Sequence, residues 1–275
     1  MSDHLSPTKT KLPEFGVRKF GRVNWLGLYT LYTKEVMRFM SIYLQTIIAP
    51  VISMMLFLAI FTISIGKFRA EINGVEFIIF IVPGLIMNAM MQNAFANNSS
   101  SLMMGKMQGN IVDILMPPIS AGEMMFAITM GGATRGFVVG ISTGIVMAFV
   151  VDLEIQHFSM VILFGILGSM VMALLGLLGG LWADKFDQMG MITNFIITPL
   201  TFLSGTFYSI KQLPEFAQTI TKFNPFFYLI DGFRFGFIGQ SEGNIYVTIL
   251  VSVGTCVALW IWGYYLIKVG YKIKS

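Results

Sequence analysis

Residues 199–239 read PLTFLSGTFYSIKQLPEFAQTITKFNPFFYLIDGFRFGFIG, and this stretch decides the fold. It is apolar enough for a membrane but too broken to cross one. Pro199, Gly205, Pro214, Pro225 and Gly232 interrupt it, while Phe202, Phe207, Phe216, Phe223, Phe226, Phe227 and Phe233 keep returning. A spanning helix needs about 20 mostly apolar residues in a row. Irregular backbone survives at membrane depth only where protein or a water-lined cavity satisfies its polar groups. The stretch therefore reads as the end of a short helix followed by a re-entrant hairpin at 208–239 in one half of the bilayer.

Composition places that hairpin in a membrane protein. Of 275 residues, 55% are hydrophobic and 12% charged, with a mean hydropathy of +0.75. Ordinary soluble domains carry about 25% charge. With its long apolar runs the chain reads as an all-α membrane protein. The single cysteine, Cys256, excludes an internal disulfide and a cysteine-rich metal site.

Outward from the hairpin, six spans are expected at about 41–66, 77–96, 124–151, 158–183, 189–207 and 246–267. Residues 1–21 read as a polar cytoplasmic arm, and 22–275 as one transmembrane domain. No apolar core occurs in the first 20 residues, so no secretory signal peptide is expected there. Before the first span, Trp25, Leu28, Tyr29, Tyr32, Val36, Phe39 and Tyr43 recur at helical spacing, with Thr30, Lys34 and Arg38 on another face. That pattern fits an amphipathic helix in the headgroup plane, or else an extension of the first span.

Polar residues inside the spans need partners. Asn88, Gln92 and Ser99 share one stripe of the second span, and Asn93 and Asn97 another. They read equally as a translocation path, a dimer seam or plain helix–helix glue. Gly132, Gly136, Gly140 and Gly144 stand four apart and form a packing face for a partner helix. Arg135 lies in that same span, a functional candidate by its charge, or a snorkelling or structural side chain. Residues 97–123 read as a connecting loop with a short helix carrying Ile111, Ile114 and Leu115 on one face and Asp113 opposite, stopped by Pro117-Pro118.

Lysine and arginine counts set the orientation. With six spans, 12 fall on the side of both termini and five on the other, Arg135 being left out. The richer side is cytoplasmic, so both termini and the 97–123 loop are expected there. No phosphate-binding G-x-x-x-x-G-K-[ST] loop, no H-E-x-x-H and no recognisable nucleophile–base pair occurs, and His4 and His157 are the only histidines. No enzyme activity, cofactor or metal site is expected in the chain.

Asn224, Pro225, Tyr228, Asp231 and Arg234 spell N-P-x-x-Y-x-x-D-x-x-R just before the last span. Together with Lys34-Glu35-Val36-Met37-Arg38 and Leu115-Met116-Pro117-Pro118-Ile119-Ser120, they make the chain resemble permeases of the type-2 ABC transporter family, the six-helix type V exporters. The resemblance covers residues 20–274 and is strongest to small bacterial permeases. It implies a bacterial inner-membrane exporter of two permease chains, here a homodimer, moving an amphiphilic lipid, glycan or drug-like substrate. ATP and magnesium would be held by a separate ATP-binding cassette subunit. It also implies a coupling helix between Lys106 and Met116, with Lys106, Ile111, Asp113, Ile114, Leu115 and Pro117 as its docking residues, and an outer gate at 208–239. Asp231 and Arg234, three apart, are expected to pair on one helix face, or Asp231 to pair with Arg135. An ion-driven transporter, which prefers acidic residues inside spans, and a non-transporting sensor or assembly protein are the alternatives.

Overall fold

The computed structural model describes residues 21–64, 71–72 and 74–272, apart from the side chains of Ile114 and Leu115. Residues 1–20 of the expected arm, the loop residues Lys67 and Arg69, Asn73 and Lys274 lie outside the described residues.

Helix α1, Trp25–Met40, begins at Asn24, whose side chain accepts from the Gly27 amide and caps the free first turn. A turn at 41–43 leads into a π-helical turn, Leu44–Ile48, and α2, Ala49–Ser64. A short hairpin of β1, Glu71–Ile72, and β2, Val75–Glu76, precedes α3, Phe77–Met107. The five-residue α4, Ile111–Leu115, is followed by α5, Ala121–Ala148, which opens on a capping box of Ser120 and Glu123. Then come α6, Phe158–Trp182, and α7, Phe186–Ile192, which runs through a π-helical turn, Thr193–Ile197, into α8, Thr198–Phe202. A 3₁₀ turn, Ile210–Gln212, leads to α9, Glu215–Phe223, then α10, Pro225–Ile238, and α11, Ile245–Val269.

Five helical runs are long and apolar enough to cross a membrane among the described residues: Leu44–Ser64, Phe77–Met107, Ala121–Ala148, Phe158–Trp182 and Ile245–Val269. The sixth expected span, 189–207, is not one of them. Its helix stops at Phe202, because the hydroxyls of Ser204 and Thr206 both turn back to the Thr201 carbonyl and Gly205 takes φ +75°. The second run differs in the other direction. It continues through 97–107, which the sequence assigned to a loop, because Asn97 and Asn98 are fully buried against neighbouring helices.

Helix α3 is the axis of the bundle. In its most apolar window 83% of the residues are buried, against 17% for the first and last spans, which form the rim. Helices α5 and α6 grip it through glycines. A Cβ on Gly132 would lie 2.4 Å from Asn98 Oδ1, and one on Gly136 2.8 Å from the Met90 carbonyl. On α6, a Cβ on Gly176 would lie 2.3 Å from the Phe95 carbonyl. The partner of the glycine face on α5 is thus α3: Gly136 admits the Met90 carbonyl, while Gly132 and Gly140 make room for the Asn98 and Met90 side chains. Gly144 is the exception, with nothing nearer than Ile86 Cδ1 at 3.8 Å.

Changing Gly176 to Ala is expected to lower stability by about 1–3 kcal/mol through overpacking. Gly254→Ala on α11, where a Cβ meets nothing within 4 Å, should leave stability unchanged or raise it slightly. Thermal unfolding of both variants in the same detergent separates them, and equal melting temperatures would contradict the gripping role of the α6 glycines.

Candidate functional site

Two polar centres stand along α3, one at its Phe77 end and the other between its middle and its Met107 end. The first, near Phe77, is built on the N-P-x-x-Y-x-x-D-x-x-R segment. Asn224 caps α10, its Oδ1 accepting from the Phe226 amide at 3.0 Å while its Nδ2 donates to the Leu200 carbonyl at 2.6 Å. Pro225 occupies the first helical turn, where its missing N–H is harmless. The Tyr228 hydroxyl donates to the Lys222 carbonyl at 2.8 Å.

Asp231 and Arg234 do not pair. Asp231 accepts from Ser241 Oγ at 2.6 Å and the Glu242 amide at 2.9 Å, and Glu242 accepts in turn from the Ile210 amide at 2.8 Å. Arg234, 2% exposed, donates Nε to the Phe80 carbonyl at 3.2 Å and Nη2 to the Gly205 carbonyl at 2.7 Å. Its guanidinium lies 3.9 Å over the Phe80 ring centre. The expected i,i+3 pair gives way because carbonyls at a helix start and a tight turn need a donor more than Asp231 does. Gly84 makes the approach possible, since a Cβ there would lie 2.6 Å from the Thr206 carbonyl.

The second centre lies between the middle of α3 and its Met107 end; the sequence marks its Arg38, Asn93, Asn97 and Arg135 but gives Glu35 no role. Glu35, 1% exposed, receives Arg38 Nη2 at 3.0 Å and Ser101 Oγ at 2.7 Å. Arg38 also donates to the Asn97 carbonyl at 2.7 Å, to Asn97 Oδ1 at 3.0 Å and to Ser100 Oγ at 3.1 Å. Asn98 Nδ2 donates to the Ala173 carbonyl at 2.8 Å, tying in α6. Helix α1 keeps Trp25 and Tyr29 on one side and Lys34 on the other, but its third side, with Glu35 and Phe39, is buried against the bundle. Trp25, Tyr29, Met37 and Lys34 are all exposed, over an arc of about half the helix circumference. The opposite charges at Glu35 and Arg38, spaced i,i+3, are the signal that could have marked this pair.

Arg135 donates Nη2 to Asn93 Oδ1 at 3.1 Å, and so belongs to this second centre and not to Asp231. Asn93 and Asn97 act as glue. The other amide stripe is different: Gln92, bonded to Asn88 Oδ1 at 3.0 Å, lines a cavity of about 270 Å³ with Ser99, Ser100, Thr193 and Thr198. A second cavity, of about 450 Å³ and almost wholly apolar, opens between α5 and α6 beside Gly140, Gly144 and Phe233.

Beyond the second centre, α4 hangs from the end of α3. Ile111 is buried, whereas Val112, Asp113, Met116 and Pro117 are exposed. A groove of about 530 Å³ separates this segment from α1, lined by Gly27, Leu31, Lys34, Asp113 and Pro117 among others. Its floor is fastened by the Asn24 amide donating to Glu123 Oε1 at 2.6 Å and by Asn24 Nδ2 donating to the Pro118 carbonyl at 3.1 Å. Lys106, expected among the docking residues, is engaged inside the molecule. Its ammonium donates to the Leu181 and Ala183 carbonyls at the end of α6, where a cation is favoured. Lys272 closes the same end, donating to the Trp182 carbonyl at 2.9 Å and to Asp184 at 2.7 Å. That hydrogen bond holds the Asp184 carboxyl below its usual pKa.

No group of three or more His, Cys, Asp or Glu side chains suited to a metal ion occurs among the described residues. The arrangement offers rigid polar joints and two cavities along α3 and an exposed knob.

Because Arg234 needs its planar fork, Arg234→Lys is expected to destabilise nearly as much as Arg234→Ala, by about 2–3 kcal/mol. Arg135→Ala and Asp231→Ala should be additive within about 0.5 kcal/mol, since Asn93 and Phe80 stand 13 residues apart on α3, about 20 Å. A thermal-stability double-mutant cycle measures this, and strong coupling would reinstate the Arg135–Asp231 pair.

Residues 27–238 match the family model described as ABC-2 type transporter. The chain is 37% identical over 251 residues to the inner membrane transport permease YadH of Escherichia coli (strain K12), covering 91% of this chain and 98% of that one. The YadH of Shigella flexneri matches equally. More distantly, it is 24% identical to nodulation protein J of Rhizobium leguminosarum bv. viciae, over 82% of this chain and 86% of that one.

Proposed function

The chain belongs to the ABC-2 type transporter family, and from that premise we propose that it is the membrane-spanning permease of an ATP-binding cassette exporter in the bacterial inner membrane. It works as a homodimer and moves an amphiphilic substrate with energy from ATP, hydrolysed with magnesium by a separate subunit. Both termini and α4 face the cytoplasm, as the lysine and arginine distribution favours. The run from α7 to α8 makes the sixth crossing. Its 17 residues reach about 26 Å, and the turns up to α9 complete the distance. Segments α9 and α10 form the re-entrant gate on the outer side.

The observation that carries this reading is the Met107 end of α3. The helix has 31 residues, about 46 Å of rise, against a hydrocarbon core of about 30 Å. The excess holds α4, with exposed Val112 and Met116, clear of the membrane beside α1. A rigid rod buried along its length and ending in an apolar knob transmits a partner's movement as a discrete shift of the bundle. The buried carboxylates that an ion-driven transporter would use are Glu35 and Asp231, but both oxygens of each are already occupied, those of Glu35 by Arg38 and Ser101 and those of Asp231 by Ser241 and the Glu242 amide.

Purification of the tagged chain from its native membrane in mild detergent should bring down a stoichiometric soluble ATPase. Met116→Asp, at a residue 78% exposed, should lower its recovery about tenfold or more while leaving the permease folded, as expected for an apolar anchor lost from an interface. Purification of a stable bundle with no ATPase, or full retention by Met116→Asp, would contradict the proposed coupling.

A further inference from the structure

The second polar centre carries more positive charge than the protein balances. Arg38 and Arg135 are two guanidiniums, and Glu35 is the one carboxylate bonded to either of them among the described residues. They are neighbours, because the carboxamides that hold them, Asn97 and Asn93, are four residues apart on one face of α3. Arg135 makes a single hydrogen bond, and the Nε atoms of both arginines are buried without an acceptor. Both side chains nonetheless reach the surface. Arg38 is 26% exposed and Arg135 half-buried.

Depth determines what that surface meets. Helix α3 starts at Phe77, directly after Glu76 at the water boundary. Asn93 and Asn97 lie 16 and 20 residues further on, about 24 and 30 Å. With a hydrocarbon core of about 30 Å, Asn97 and the Arg38 bonded to it stand at the level of the far headgroups, and Asn93, which holds Arg135, stands about 6 Å inside that level, a distance the long arginine side chain can span. On the same segment as Arg38, Tyr29 and Lys34 of α1 and Tyr43 of the turn after it are exposed, side chains that favour this interface. An unbalanced guanidinium there is stabilised by a planar, bidentate oxyanion.

We propose that Arg38 and Arg135, set one helical turn apart by Asn97 and Asn93 with only the Glu35 carboxylate on Arg38 to balance them, form a binding site for the phosphate of an anionic membrane lipid. The acyl chains lie along the exposed apolar faces of α1 and α2, and the bound lipid pins α1 to the α3–α5 pair. This site stands independently of substrate, ATPase and direction of transport.

The test uses the full chain, delipidated in detergent, with phosphatidylglycerol or phosphatidylcholine added in mixed micelles and bound lipid counted by native mass spectrometry. The wild type should retain phosphatidylglycerol in preference to phosphatidylcholine. Arg135→Gln should reduce that retention about tenfold or more, the scale of a lost charge-assisted hydrogen-bonded contact. Lys268→Gln, an exposed charge at the same end of the bundle, should lose no more than about fivefold, the generic effect of one surface cation. Arg135→Lys keeps the charge without the fork and should fall between wild type and Arg135→Gln; it also serves if the glutamine variant fails to fold. Equal retention of the two lipids by the wild type would overturn the proposal. So would a loss in Arg135→Gln no greater than in Lys268→Gln. Displacement of phosphatidylglycerol by millimolar inorganic phosphate would overturn the lipid assignment in favour of a soluble anion.

Discussion

Backbone-to-backbone approach along α3 is the constraint on which the rest of the structure depends. In a membrane the hydrophobic effect does not press one helix against another, so association rests on packing and on polar contacts. Gly132 and Gly136 of α5 and Gly176 and Gly180 of α6 let two helices close on α3 with carbonyls and short side chains in the seam. Once α3 is enclosed, its amides have no access to water and must find partners in the protein. That is why Asn93, Asn97 and Asn98 become the joints that attach α5, α1 and α6.

Two arginines then fasten this rod, one near its start and one two-thirds of the way along it. At the Phe77 end, Arg234 gathers carbonyls from α3 and from the turn at Gly205, and so locks the hairpin segments onto the bundle. At Asn97, Arg38 does the same for α1 with help from Glu35. Both guanidiniums satisfy backbone oxygens that no water would reach. A rod held by arginines near Phe80 and at Asn97 shifts between discrete arrangements as a unit.

The candidate site was legible in uneven measure. The residues of the N-P-x-x-Y-x-x-D-x-x-R segment stood out by type and spacing, and they do converge. Their pairing was not legible, because i,i+3 spacing brings Asp231 and Arg234 within reach of each other without ranking that contact against the orphan carbonyls of Phe80 and Gly205. Glu35 was passed over since nothing local distinguishes a buried glutamate from an exposed one. Lys106 was assigned to docking by its position in the chain, whereas the free carbonyls at the end of α6 claim it.

By itself, the sequence determined the membrane class, four of the apolar runs nearly to their ends, the small-residue face on α5 and the broken character of 199–239. These follow from composition and period, which are properties of a segment alone. Tertiary structure decided where α3 ends, that the helix after Asp184 stops at Phe202, which amide stripe is glue and which lines a cavity, and where every buried charge finds its partner. Those outcomes are competitions between acceptors far apart in the chain, and only the packed backbone sets the distances that settle them.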